Sequence, residues 1–151
     1  MSANIVHQYI YVAGKFNTEE KERVRSLMTR LKGHGHHITY DWTDPETAAT
    51  SSKEPGRRLD NDLRLIAEQE VEGVATCQTF VLLCHPDSKG AYTELGIAVA
   101  LGKTIITVGD DKVTNIFLHL PRIFKAADDQ HVVQLINSFT NYSLPRPPLF
   151  T

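Results

Sequence analysis

Along the chain, short continuous apolar runs alternate with segments whose apolar positions recur at a period near 3.6. Gln8 to Ala13 is a β-branched and aromatic run that breaks at Gly14, as a buried strand ending in a turn should. In Asn17-Thr18-Glu19-Glu20, Asn17 is placed to cap a helix and Glu20 to close a capping box. Val24, Leu27, Met28 and Leu31 then recur at i, i+3, i+4, i+7, and Gly33 and Gly35 end that helix. His37 to Trp42 reads as a second strand. Further on, the pattern predicts a helix from about Leu59 to Ala75, a strand over Thr79 to Cys84, a helix from about Ala91 to Leu101 and a strand over Lys103 to Val108. A short strand near Arg122 to Ala126 and a helix from about Asp129 to Phe139 follow. Tyr142 to Thr151, with three prolines, reads as an extended arm.

Continuous apolar strands alternating with helices imply a parallel sheet covered on both faces. The expected fold is a doubly wound α/β domain, Rossmann- or flavodoxin-like, with a mainly parallel sheet of about five strands. It would occupy residues 1–141, with 142–151 as the arm. Ligands of such sheets bind at the carboxyl ends of the strands. The candidate loops are therefore Gly14 to Phe16, Thr43 to Arg58, His85 to Gly90 and Gly109 to Asn115. Thr43 to Arg58 is long and aperiodic, which suits a functional lid or a mobile segment.

The chain has 151 residues, 16 Lys+Arg against 18 Asp+Glu, and 41% hydrophobic residues. That balance argues against a protein that coats nucleic acid and against disorder. No signal-peptide order begins the chain and no apolar run approaches a membrane span, so a cytoplasmic location is expected. Asn141-Tyr142-Ser143 matches a glycosylation sequon, idle in that setting. Cys77 and Cys84 fit neither a redox nor a zinc motif and read as reduced packing residues.

Several motifs lose their force on inspection. Gly102-Lys103-Thr104 ends like a P-loop, but five residues separate Gly96 from Gly102 and the triplet closes a helix. No Gly-rich dinucleotide fingerprint follows the first strand. His34, His36 and His37 lack a ligand set at metal spacing and read as a polar turn. Arg57, Arg58 and Arg64 suit a solvated helix start better than a phosphate clamp. Neither a metal nor a redox cofactor is expected.

Asp87-Ser88-Lys89-Gly90-Ala91-Tyr92-Thr93-Glu94-Leu95-Gly96 carries more information. It leads from a buried strand into a helix, so Glu94 is expected in the first turn, where the positive helix end favours an ionised carboxylate. Such a group can attack an anomeric carbon. Ala91 stands three residues earlier, so Glu94 does not complete a capping box. Glu70, 24 residues upstream on the preceding helix, is a second carboxyl able to protonate a leaving base or orient the nucleophile.

At these residues the chain resembles the nucleoside 2-deoxyribosyltransferase family, including relatives that hydrolyse nucleoside 5′-monophosphates. The matching pieces are Ile10-Tyr11-Val12-Ala13-Gly14, Gln69-Glu70 with the strand after it, Gly90-Ala91-Tyr92-Thr93-Glu94-Leu95-Gly96, and Asn115-Ile116-Phe117. The resemblance implies that Glu94 forms a glycosyl ester, that Tyr11 lies beneath the sugar and orients Glu94, and that Glu70 stands where the family usually has an Asp. It places Gly14, Asp87, Ser88, Gly90, Asn115 and Phe117 around the substrate. Asn115 matches an Asn that deoxyribosyltransferases extend into a neighbouring subunit. Ser88 occupies a position where deoxyribosyltransferases tend to carry an acid and the monophosphate hydrolases a phosphate-binding Ser; Asp87 supplies an acid one residue earlier. Phe16 reads equally as a base-stacking ring or as a staple against the first helix. The implied protein is a homo-oligomeric enzyme acting on a small nucleoside or nucleotide without a cofactor. Deoxyribosyl transfer between bases is its first reading. Hydrolysis of a monophosphate, or a non-catalytic nucleotide-binding module, is the alternative.

Overall fold

The structure, a computed structural model, describes residues 6–44, 60–109 and 115–139. Most of the Thr43 to Arg58 loop, with Arg57 and Arg58, lies outside the described residues, as do the sequon and the arm. Five strands, β1 (Tyr9–Ala13), β2 (His37–Ile38), β3 (Thr79–Leu83), β4 (Thr104–Val108) and β5 (Phe124–Ala126), form one sheet in the order β2-β1-β3-β4-β5. Every pairing is parallel, with Ile10 opposite Thr79, Phe80 opposite Ile105 and Ile106 opposite Phe124. The expected doubly wound α/β fold is thus present, with an all-parallel sheet. Burial on both faces explains why β1, β3 and β4 read as unbroken apolar runs.

Helices α1 (Thr18–Gly33) and α4 (Asp129–Ser138) touch each other, and α2 (Asp60–Thr76) touches α3 (Lys89–Ala100). Arg23 joins the first pair through a bidentate ion pair with Asp129, at 2.8 and 3.2 Å. Among the described residues no helix is long and apolar enough to cross a membrane.

The structure departs from the expected elements most clearly in four places. The second strand shrinks to His37–Ile38, because past Thr39 the chain leaves the ladder and Trp42 donates its indole N–H to the Val12 carbonyl at 2.8 Å. Only half of the expected capping box forms. Asn17 Oδ1 accepts from the Glu20 amide at 2.8 Å, but the Asn17 amide donates to the Lys15 carbonyl, and the Glu20 carboxylate lies 3.8 Å from Arg23. Helix α3 begins at Lys89 rather than Ala91, which places Glu94 in its second turn. The third strand stops at Leu83 and leaves Cys84 at its carboxyl end.

The remaining sequence landmarks have structural duties. His36 is buried; its Nδ1 accepts from the Gln8 amide and its Nε2 lies 2.8 Å from Asn137 Oδ1. His37 stacks on Tyr9. Arg64 is 3.6 Å from Glu68 on the exposed side of α2. Lys103 donates to the Ala75 carbonyl at 2.6 Å. Cys77 is a buried free thiol that donates to the Val74 carbonyl, and Cys84 is a half-buried one.

Candidate active site

The interior strand β1 presents Tyr11 to the side covered by α2 and α3. Its ring is fully buried and lies parallel to Phe80 at 5.8 Å between centroids. Its hydroxyl faces Glu94 from α3 and Glu70 from α2. The Tyr11 hydroxyl and Glu94 Oε2 are sealed from solvent and close enough to interact, yet neither completes a hydrogen bond of normal geometry. Tyr40, from the segment after β2, faces Glu70 in turn.

Burial dominates the electrostatics of this group. Desolvation pushes the Glu94 carboxyl up to about 8; the Tyr11 hydroxyl opposes the shift and the like charge of Glu70 adds to it. The Glu70 carboxyl is raised by burial alone, and the Tyr11 hydroxyl is carried far above its ordinary range by burial and then by Glu94. The expectation of a carboxylate held ionised by the first turn of a helix is therefore overturned. Glu94 sits one turn deeper than expected, where loss of water outweighs the helix end. Near neutrality it is a protonated or proton-sharing acid, and once ionised it is an unusually basic and nucleophilic carboxylate.

Five buried side-chain polar atoms lack a hydrogen-bond partner among the described residues: Tyr11 Oη, Gln69 Oε1, Ser88 Oγ, Tyr92 Oη and Glu94 Oε2. Buried polar groups are otherwise almost always paired, so such a set has a functional explanation in prospect. All five come from β1, from the Gln69-Glu70 pair of α2 and from the first two turns of α3 with its cap. Ser88 holds the N-cap position of α3 and is only 4% exposed, but its hydroxyl makes no capping bond. Gln69, Tyr40 and Tyr92 were not singled out as site residues from the sequence. Gln69 and Tyr92 lie inside the segments that carried the resemblance, which was their available signal, and Tyr92 rests against Cys84.

The other candidates are placed as follows. Asp87 is exposed and 3.6 Å from Lys15, so it ties the loop after β3 to the loop after β1. Gly14 is a packing glycine, since a Cβ there would stand 2.7 Å from Val24 Cγ2. Gly90 lies in the first turn of α3 with open space beside it. Phe16 is 63% exposed, 6.0 Å from Trp42, and carries the Lys21 ammonium over its ring at 5.2 Å. The residue that would complete a staple is thus a cation, and the base-stacking alternative keeps an accessible ring. Asn115 caps a short 3₁₀ helix, Ile116–His119, its Oδ1 accepting from the Phe117 amide at 3.0 Å. Tyr11, Glu70 and Glu94 converge; Asn115 and Phe117 are engaged with each other.

The sequence model of the nucleoside 2-deoxyribosyltransferase family matches residues 10–141, a span that contains every candidate site residue. The chain belongs to this family. A search of curated proteins finds no match. Among solved structures, the fold of this deoxyribosyltransferase-family chain is similar to that of a CMP N-glycosidase, BcmB, from Clostridium botulinum. The TM-score is 0.55 at 16% identity, over 85% of this chain and 97% of that one. A conserved protein from Enterococcus faecalis V583 is similar with a TM-score of 0.60 at 14% identity, over 87% and 98% of the two chains. At these identities the likeness is one of fold.

Proposed function

We propose that this protein cleaves the N-glycosidic bond of a small nucleotide by attack of Glu94 on the anomeric carbon. The observation that carries the reading is the half-buried Glu94, whose sealed and unpartnered Oε2 belongs to a carboxyl that faces the Tyr11 hydroxyl and stands beside the Glu70 carboxyl. In the first step Glu94 gives up its proton, which Glu70 relays to the departing base, and the Glu94 carboxylate forms an ester with the sugar carbon as the bond to the base nitrogen breaks. In the second step an acceptor displaces Glu94 from the sugar: water gives hydrolysis, and the nitrogen of another base gives transfer. Tyr11 steers the carboxylate through both steps.

Ser88 favours a 5′-monophosphate as the substrate and water as the acceptor. Its buried hydroxyl is unpartnered at the start of α3, where the first-turn amides are free to meet an anion. The CMP N-glycosidase of similar fold acts, by its name, on a nucleotide. Deoxyribosyl transfer is the second reading. It draws on Asn115 at an interface, and Ile116 and Phe117 beside it are apolar and 79% and 49% exposed. The same exposure supports a homo-oligomer, which a monomeric mass in solution would contradict.

The test incubates the protein with nucleoside and deoxynucleoside 5′-monophosphates, and separately with deoxyinosine plus adenine, following products by chromatography. Free base released from the monophosphates at a rate independent of added base is the expected outcome. New deoxyadenosine would replace hydrolysis by transfer. Protein and Glu94→Ala variant that bind the same compounds but are equally inert would sink the enzymatic reading and leave a binding module.

A further inference from the structure

We infer that Gly73 is a positioning residue for the Glu94 site: its missing side chain lets α2 rest on the Tyr11 ring, and that contact sets how near the Glu70 carboxyl stands to Glu94. The inference rests on the reading of Glu94 as nucleophile and adds to it the element that fixes its neighbour.

Glycine inside a helix costs about 1 kcal/mol relative to alanine, so its presence there needs a reason. Gly33, Gly90 and Gly96, also in helices, would place an added Cβ in open space. At Gly73 the added Cβ would stand 2.9 Å from Tyr40 Cβ and 3.0 Å from both Tyr11 Cδ2 and Cε2. These separations are well inside the roughly 3.5–4.0 Å of a relaxed carbon contact. The close approach is also tied by a bond, for the Thr39 hydroxyl donates to the Gly73 carbonyl at 2.7 Å.

Glu70 lies three residues before Gly73, on the same face of α2 and one turn nearer the carboxyl edge of the sheet. The distance between α2 and the Tyr11 ring therefore sets the reach of Glu70. Tyr11 cannot yield to an added methyl, because it is fully buried on an interior strand and flat against Phe80. The helix must lift instead, and Glu70 lifts with it. The groups facing Glu94 are Tyr11 from β1 and Glu70 from α2, and Tyr40 faces Glu70 from the segment after β2. Lifting α2 withdraws Glu70 while Tyr11 stays in place.

The experiment compares Gly73→Ala and Thr39→Val with Gly33→Ala as a control in open space. It measures kcat and KM on the monophosphates, the pH profile of kcat/KM, and the titration of the Glu94 carboxyl by ¹³C NMR. Gly73→Ala should lower kcat about tenfold, a fraction of what a 1 Å misplacement does, and leave KM within about threefold. The rising limb of the profile should move to lower pH, since ionised Glu94 loses a like charge. Thr39→Val should move it the same way by less, and adding Glu70→Gln to Gly73→Ala should move it no further. An unmoved limb in both variants, or a lower melting temperature with kcat and profile intact, would overturn the inference. Should Gly73→Ala not fold, Thr39→Val decides. If the unaltered protein turns over none of these compounds, it is the proposed reaction that fails, and the carboxyl titration still decides on Gly73.

Discussion

Helices α1 and α3 both begin at the carboxyl edge of the sheet, each after an interior strand, and their first turns are built in opposite ways. At α1, Asn17 accepts the Glu20 amide, Glu19 and Glu20 complement the positive end, and Arg30 and Lys32 the negative one. At α3, Ser88 stands in the cap position with its hydroxyl buried and unbonded, and no acidic residue follows in the first turn. Helix α4 sides with α1, since Asp128 accepts the His131 amide at 2.7 Å. A start that closes on itself holds the fold together, whereas one that leaves a buried hydroxyl unpartnered fits the phosphate site proposed for it.

Three substitutions sharpen or break this contrast. The largest effect belongs to Glu94→Gln, which should reduce turnover by roughly 10⁴-fold or more, since nothing replaces the nucleophile. The same variant should change how stability depends on pH. The folded-state carboxyl titrates at about 8, above its ordinary 4.5, so its contribution to stability is full below about pH 4.5 and is lost as pH rises through 8. Urea midpoints taken from pH 5 to 9 should fall for the unaltered protein and stay nearly level for Glu94→Gln. Parallel curves would remove the buried, basic carboxyl from the mechanism.

Ser88→Ala should come next, raising KM for a monophosphate about tenfold, as expected for one hydrogen bond to a charged group, with little change in melting temperature. The smallest effect is that of Asn17→Ala, which should cost about 1 kcal/mol, a few degrees in melting temperature, with kcat/KM unchanged. Were Ser88→Ala to destabilise the protein as Asn17→Ala does, Ser88 would be an ordinary cap and the contrast would vanish.

The fold was legible because local and global signals agree. Burial on both faces wrote β1, β3 and β4 as continuous apolar runs, and Val24, Leu27, Met28 and Leu31 are the buried face of α1 as their spacing predicts. Element ends were less legible where side chains replace backbone partners. The indole of Trp42 bonding Val12 shortens β2, and no pattern of apolar positions encodes that. In the site, Glu94, Glu70 and Tyr11 were readable from motif pieces and their convergence follows from topology. The protonation of Glu94 was not readable, because a two-residue shift in the start of α3 decides between helix-end stabilisation and desolvation. Tyr40 left no signal in the sequence and Gly73 only that of a glycine inside a helix, since their importance lies in a contact between α2 and β1 that only the packed helix reveals.

Strand β1 sits second in the sheet, paired on one side with β2 and on the other with β3, whose flanking Gln78 bonds Tyr9 across 69 residues of chain. Tyr11 is therefore made early during synthesis and Glu94 late, and they meet only after that long loop closes. Contacts so distant in sequence slow folding more than they weaken the folded state. Until the loop closes, the Glu94 carboxyl remains in water and titrates as an ordinary glutamate. The strongly basic acid that suits it to chemistry is a property of the finished sheet, acquired in the step that joins the two halves of the chain.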